Sequence, residues 1–165
     1  MKATLTVLLV CFSFSVATAS PPEQTAALTH AVDQLLKAYS SKNPDEFLAL
    51  TDPDEILVLG TDISEVADSK AEVRELIAAD FKLWGSAEFG QRAFTSIRAS
   101  DHLSSVAFDV PLAMHRADGK TDTMTIRFLT VWKRNGSRWL LTQSLNSVPS
   151  VGHSATEILK SAGQK

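Results

Sequence analysis

The most constraining stretch of the chain is Ser104 to Met114. Ser104, Val106, Phe108, Val110, Leu112 and Met114 alternate with Ser105, Ala107, Asp109, Ala113 and His115. That period of two places one set of side chains on each face of a β-strand. Two turn signals follow. Ala117-Asp118-Gly119-Lys120 and Asn135-Gly136 each fit a tight hairpin, and Met124–Arg134 and Arg138–Val148 read as the strands they connect. The C-terminal half must therefore be a meander of long antiparallel strands. With Glu88–Ala99 read as one further strand, such a sheet needs apolar cover on at least one face.

The N-terminal half supplies that cover. Leu28, Val32, Leu35, Leu36 and Tyr39 recur with helical spacing over Glu23–Ser41. Asn43-Pro44-Asp45-Glu46 carries a capping residue, a proline suited to the first helical position and a glutamate able to complete a capping box. A short helix with Phe47, Leu48 and Leu50 then runs to Asp52-Pro53. Glu55–Gly60 is an apolar run of strand length. Ser69-Lys70-Ala71-Glu72 opens a third helix to Trp84, with a stripe of Val73, Leu76, Ile77, Asp80, Phe81 and Trp84. Helices first and an antiparallel meander second make an α+β domain.

The first segment has a different purpose. Lys2 is followed by an apolar run from Leu5 to Val16 and by Ala17-Thr18-Ala19, the three parts of a secretory signal peptide. The run is too short to span a bilayer, which takes about 20 apolar residues. The expected division is a signal at 1–19, a domain at 20–148 and a tail from 149 to 165, with a secreted or periplasmic product. Cys11, the one cysteine, leaves with the signal. Lipidation there would need a small preceding residue and a position after the apolar run; Val10 and the place of Cys11 satisfy neither. The mature chain then carries no thiol and no stable membrane anchor.

Composition excludes other classes. With 44% hydrophobic and 21% charged residues, 165 residues form one ordinary globular domain. A net charge of −3 supplies no basic face for nucleic acid. The four histidines, His30, His102, His115 and His153, show no metal-binding spacing. No glycine-rich phosphate loop and no Gly-x-Ser-x-Gly elbow occurs. No metal or cofactor is expected.

The element order resembles the nuclear transport factor 2-like superfamily, in its SnoaL-like branch. The matching residues are Lys42–Leu50 (KNPDEFLAL), a strand ending Leu59–Asp62 (LGTD), Leu129–Leu141 (LTVWKRNGSRWLL) and Gln143–Pro149 (QSLNSVP). The resemblance implies a cone: three N-terminal helices in the concave face of a strongly curved, mainly antiparallel sheet, with a pocket at the open end. Relatives include isomerases, cyclases, dehydratases, hydrolases and non-catalytic binding modules, so fold alone does not fix function. The familiar acid–base sets are displaced. Alignment through KNPDEFLAL puts Leu35 where the ketosteroid isomerase branch has a tyrosine and Leu59 where it has an aspartate. Tyr39 lies one turn later and Asp62 three residues later. Gln143–Asn146 lacks the histidine that SnoaL-like relatives often carry, and Val66-Ala67-Asp68 replaces their tryptophan and glycine.

Six residues are the candidate pocket: Asp62, Asp80, Trp84, Arg127, Trp132 and Gln143. Asp80 interrupts an apolar stripe, where a carboxylate must be paired, lie at the edge or take a raised pKa suited to acid–base work. Arg127 interrupts an apolar strand, where it can pair with Asp80 or Asp62, receive an anion, or lie across the outer face. Asp62 at a strand end is a second acid–base candidate or a simple turn residue. The tryptophans are core or ligand platform, and Gln143 offers an amide. These residues suit a binding module for a small apolar or weakly anionic molecule, or else a cofactor-independent enzyme using Asp80 or Asp62. The weakly polar second face of the strand at 104–114 calls for a homodimer through the sheet.

Overall fold

The computed structural model describes residues 21–150; the signal segment and most of the tail, including His153, lie outside them. The expected α+β order is present. It runs α1 (Pro21–Ser40), α2 (Pro44–Leu48), β1 (Leu57–Leu59), β2 (Val66–Ala67), α3 (Lys70–Leu83), β3 (Ser86–Phe89), β4 (Ala93–Arg98), β5 (Leu103–His115), β6 (Thr121–Asn135) and β7 (Arg138–Ser147).

The helices begin where their caps stand. Asn43 Oδ1 accepts from the Asp45 and Glu46 amides at 3.0 and 3.4 Å, and its Nδ2 donates to Glu46 Oε1 at 3.1 Å. Ser69 Oγ accepts from the Glu72 amide at 3.3 Å, while the Glu72 carboxylate reaches back to the Asp68 amide at 2.9 Å. These contacts satisfy amides that the first helical turn leaves open.

The sheet has seven strands in the order β2-β1-β7-β6-β5-β3, with β4 also on β5. Only β1 and β7 run parallel, pairing Leu57 with Gln143 through Leu59 with Leu145. Glu88–Ala99, read above as one strand, is two. The break falls opposite Pro111 of β5. Gly90 donates its amide to the Pro111 carbonyl at 2.8 Å, and a Cβ on Gly90 would sit 3.2 Å from the proline ring. A proline has no amide to return, so the ladder stops there. β3 then pairs Ser86–Phe89 with His115–Leu112, and β4 pairs with the earlier half of β5. The registers of β4–β5 and β6–β7 shift at Phe94/Ser96 and Val131/Trp132, bulges that bend the sheet.

The bent sheet closes on the helices. Val106, Phe108 and Val110 are fully buried against Leu28, Val32 and Val73. Trp132 is wholly buried in this same cluster. Its indole donates to Thr130 Oγ1 at 2.8 Å, and that hydroxyl donates to the Val106 carbonyl at 3.0 Å. Toward the ends of β5 and β6, Leu112 and Ile126 form a second, smaller cluster with Ala87, against which Met114, Met124 and Phe128 pack, and these side chains wall a space between sheet and helices. The interior is open there.

Candidate functional site

A cavity of about 290 Å³ occupies that end of the cone. α1 contributes Leu35, Leu36 and Tyr39, and α3 contributes Leu76, Ile77, Asp80 and Leu83, with Trp84 just beyond. The sheet contributes Phe89, Leu112, Met114, Met124, Ile126 and Phe128, with Ser144 and Asn146 from β7. Gly60, Thr61 and Glu65 of the β1–β2 loop stand at its rim.

The polar centre joins two helices across 41 positions of sequence. Tyr39 Oη donates to Asp80 Oδ2 at 2.7 Å. The Tyr39 ring is held edge-on by Phe81 at 5.2 Å and Phe47 at 6.4 Å, with Phe89 and Trp84 beside it. Lys42, at φ 56°, donates its ammonium to the Trp84 carbonyl at 2.5 Å, which ties the end of α1 to the end of α3. Burial raises the Asp80 carboxyl above the usual aspartate range; the Tyr39 hydrogen bond opposes this and the Glu65 charge adds to it. Burial and then the Asp80 charge push the Tyr39 phenol upward, so it stays protonated as the donor. The pair is thus a carboxyl of raised pKa bonded to a neutral phenol inside an apolar chamber.

Glu65 is the second carboxylate. Its Oε2 accepts from the Thr61 amide at 2.6 Å, the Thr61 hydroxyl at 3.3 Å and the Asp62 amide at 3.0 Å. A Cβ on Gly60 would lie 2.5 Å from Glu65 Cβ, so the loop closes only over glycine. On β7, Ser144 Oγ donates to Asn146 Oδ1 at 2.8 Å, which leaves the Asn146 amide nitrogen for the cavity.

Of the six expected pocket residues, Asp80 and Trp84 line the cavity and four do not. Asp62 is exposed at the loop tip, where its carboxylate accepts from the Ser64 amide at 2.9 Å and hydroxyl at 2.6 Å, contacts that lower its pKa. Arg127 points away because its neighbour Phe128 points in. It grips Asp109, its partner across the strands, at 2.8 and 2.9 Å on the outer face. It therefore pairs with neither Asp80 nor Asp62. Trp132 is structural. Gln143 is exposed because the bulge opposite Val131/Trp132 changes the phase of β7: Leu141 faces inward, and after it Ser144 and Asn146 do, with Gln143 outside.

Tyr39, Glu65 and Asn146 are the residues the sequence reading missed. Tyr39 was visible as the last member of the α1 stripe, and a phenol on an apolar stripe needs a partner. One turn beyond Leu35 is still the same helix face, so the displaced tyrosine reaches the cavity after all. Among the described residues no cluster of histidine, cysteine or carboxylate side chains can hold a metal.

The sequence profile of the SnoaL-like domain matches residues 28–150. The chain belongs to the SnoaL-like family. No curated protein sequence matches it. Solved structures share the cone of this SnoaL-like chain at low identity. A nuclear transport factor 2-like superfamily protein from Salmonella enterica serovar Typhimurium is 16% identical with a TM-score of 0.72, the match covering 82% of this chain and 98% of that one. A ketosteroid isomerase-like protein from Erwinia carotovora atroseptica is 17% identical with a TM-score of 0.67, covering 78% and 98%. A candidate dehydratase of the same superfamily from Streptomyces avermitilis is 11% identical with a TM-score of 0.71, covering 79% and 100%. Identities this low show the fold alone.

Proposed function

We propose that this SnoaL-like domain is an exported module that binds a small, compact, largely apolar molecule in the cone. The observation that carries the reading is the cavity itself. It is about 290 Å³, walled by aliphatic and aromatic side chains, with a few polar groups converging from α1, α3, β7 and one loop. That size is at the lower end of ligand pockets, about 300–1,000 Å³, so the fitting ligand is of single-ring or small fused-ring size. Leu76→Trp places an indole in the space. Titration calorimetry with a panel of small cyclic alcohols and ketones should give saturable binding to the wild type and none to a Leu76→Trp variant of unchanged melt. Equal binding by both would remove the cavity as the site.

A second reading, a cofactor-independent enzyme of the same pocket, is favoured by one observation. Asp80 combines a raised pKa with an exposed edge on the cavity and a phenol partner, the equipment of a general acid or base.

Two further parts of the proposal rest on other observations. Export is supported by the three-part pattern at 1–19. Homodimerisation through the sheet is supported by a row of outward apolar side chains in register, Ala107, Leu129 and Leu145, the last two 47% and 44% exposed. A two-fold axis through such a row sets it against its own copy.

A further inference from the structure

Resting on the cavity reading, we infer that the ligand carries a positive charge: a protonated amine on a compact apolar body. The charged side chains that line the cavity are Asp80 and Glu65, and among the described residues no lysine, arginine or histidine joins them. The nearby cations are committed elsewhere, Lys42 to the Trp84 carbonyl and Arg127 to Asp109. Neither cavity carboxylate has an ion-pair partner among the described residues. Asp80 takes a single side-chain bond, from Tyr39 on Oδ2, and Glu65 takes its bonds on Oε2, so Oδ1 and Oε1 remain as acceptors.

A carboxylate held in an apolar chamber without a counter-charge is an unfavourable arrangement, and a bound ammonium removes the cost by donating to it. The walls suit the same ligand. Tyr39, Trp84, Phe89 and Phe128 present aromatic rings, whose faces attract an ammonium more strongly when water is excluded. An anionic ligand would meet two like charges and no donor of opposite sign. The weakly anionic ligand expected from Arg127 loses its basis once that guanidinium lies on the other side of the sheet.

Three probes with one ring test this: cyclohexylmethylamine, cyclohexylmethanol and cyclohexanecarboxylate. Each is titrated calorimetrically into the full mature chain at about pH 8, where the amine probe is protonated. The amine should bind about tenfold or more tighter than the alcohol, a difference of about 1.4 kcal/mol, and the carboxylate should be weakest. Asp80→Asn should bring the amine down to the affinity of the alcohol, and Glu65→Gln should lower it by a smaller factor. Equal affinity for amine and alcohol, tighter binding of the carboxylate, or an amine preference that survives Asp80→Asn/Glu65→Gln would overturn the inference and leave the cavity reading standing. Binding of none of the three would overturn the cavity reading and this inference with it.

Discussion

Replacing Tyr39 with phenylalanine removes one oxygen and tests how the site is built. The ring stays packed between Phe47 and Phe81, so the loss is confined to the 2.7 Å bond to Asp80 Oδ2. Asp80 accepts no other side-chain or cap bond among the described residues, and Tyr39 is the one group that pulls its pKa down against burial. A hydrogen bond to a charged group contributes about 1.5–3 kcal/mol. The Asp80 edge opens onto the cavity, so the lower figure applies. Because the phenol favours the ionised carboxyl over the neutral one, the Asp80 carboxyl should titrate higher in Tyr39→Phe than in the wild type. Stability should fall by about 1.5 kcal/mol where Asp80 is ionised and by less where it is protonated, since the bond to a neutral carboxyl is the weaker one. Carbon-detected NMR titration of the side-chain carboxyls measures the first quantity, and urea melts on both sides of the transition measure the second. An Asp80 pKa that stays fixed or falls on removal of the phenol would refute the pairing.

Four other outcomes follow from the same geometry, and a fifth from the first segment of the sequence. Because the folded pKa of Asp80 is raised, its contribution to stability is full below the unfolded aspartate pKa and is lost as pH rises through the folded value; Asp80→Asn should flatten that decline in denaturant melts and be near-neutral or stabilising at neutral pH. Gly60→Ala should evict Glu65 from the loop by contact with its Cβ, which broadened amide resonances of Thr61 and Asp62 would report, with little change in the core. Trp132→Ala should cost about 3–5 kcal/mol in the same melts, since it empties a fully buried site and removes the indole bond to the Thr130 hydroxyl. Leu129→Asp should give a monomer by light scattering where the wild type gives a dimer, and N-terminal sequencing of exported protein should begin at Ser20; a wild-type monomer or an intact Met1 would count against those two parts of the proposal.

The fold was legible where local chemistry and global packing agree. The alternation of β5, the two glycine turns and the capped starts of α2 and α3 each specify one local geometry. The split between β3 and β4 was not, because the cause is Pro111, some 20 residues away on a neighbouring strand. The site was legible only in part. Asp80 stood out since a carboxylate on an apolar stripe demands an account. Its partner could not be read, because nothing local joins position 39 to position 80. Gln143 was a reasonable choice for a strand of strict period two, and one bulge reversed the face. Arg127 interrupted the strand's apolar pattern because it belongs to the outer face, where Asp109 receives it. Glu65 lay in a loop that carries no periodic signal at all.

The claim on which the rest depends is that the cone is hollow and takes a ligand beside Tyr39 and Asp80. Its most direct measurement is a heteronuclear NMR titration of the mature chain with cyclohexylmethylamine, cyclohexylmethanol and cyclohexanecarboxylate in turn, read for any one that binds. Saturable shifts should be confined to the cavity wall, at Leu35, Tyr39, Asp80, Phe128 and Asn146, with resonances around Trp132 unmoved. Shifts confined to the outer sheet face, or none at a concentration that saturates a weak site, would contradict it.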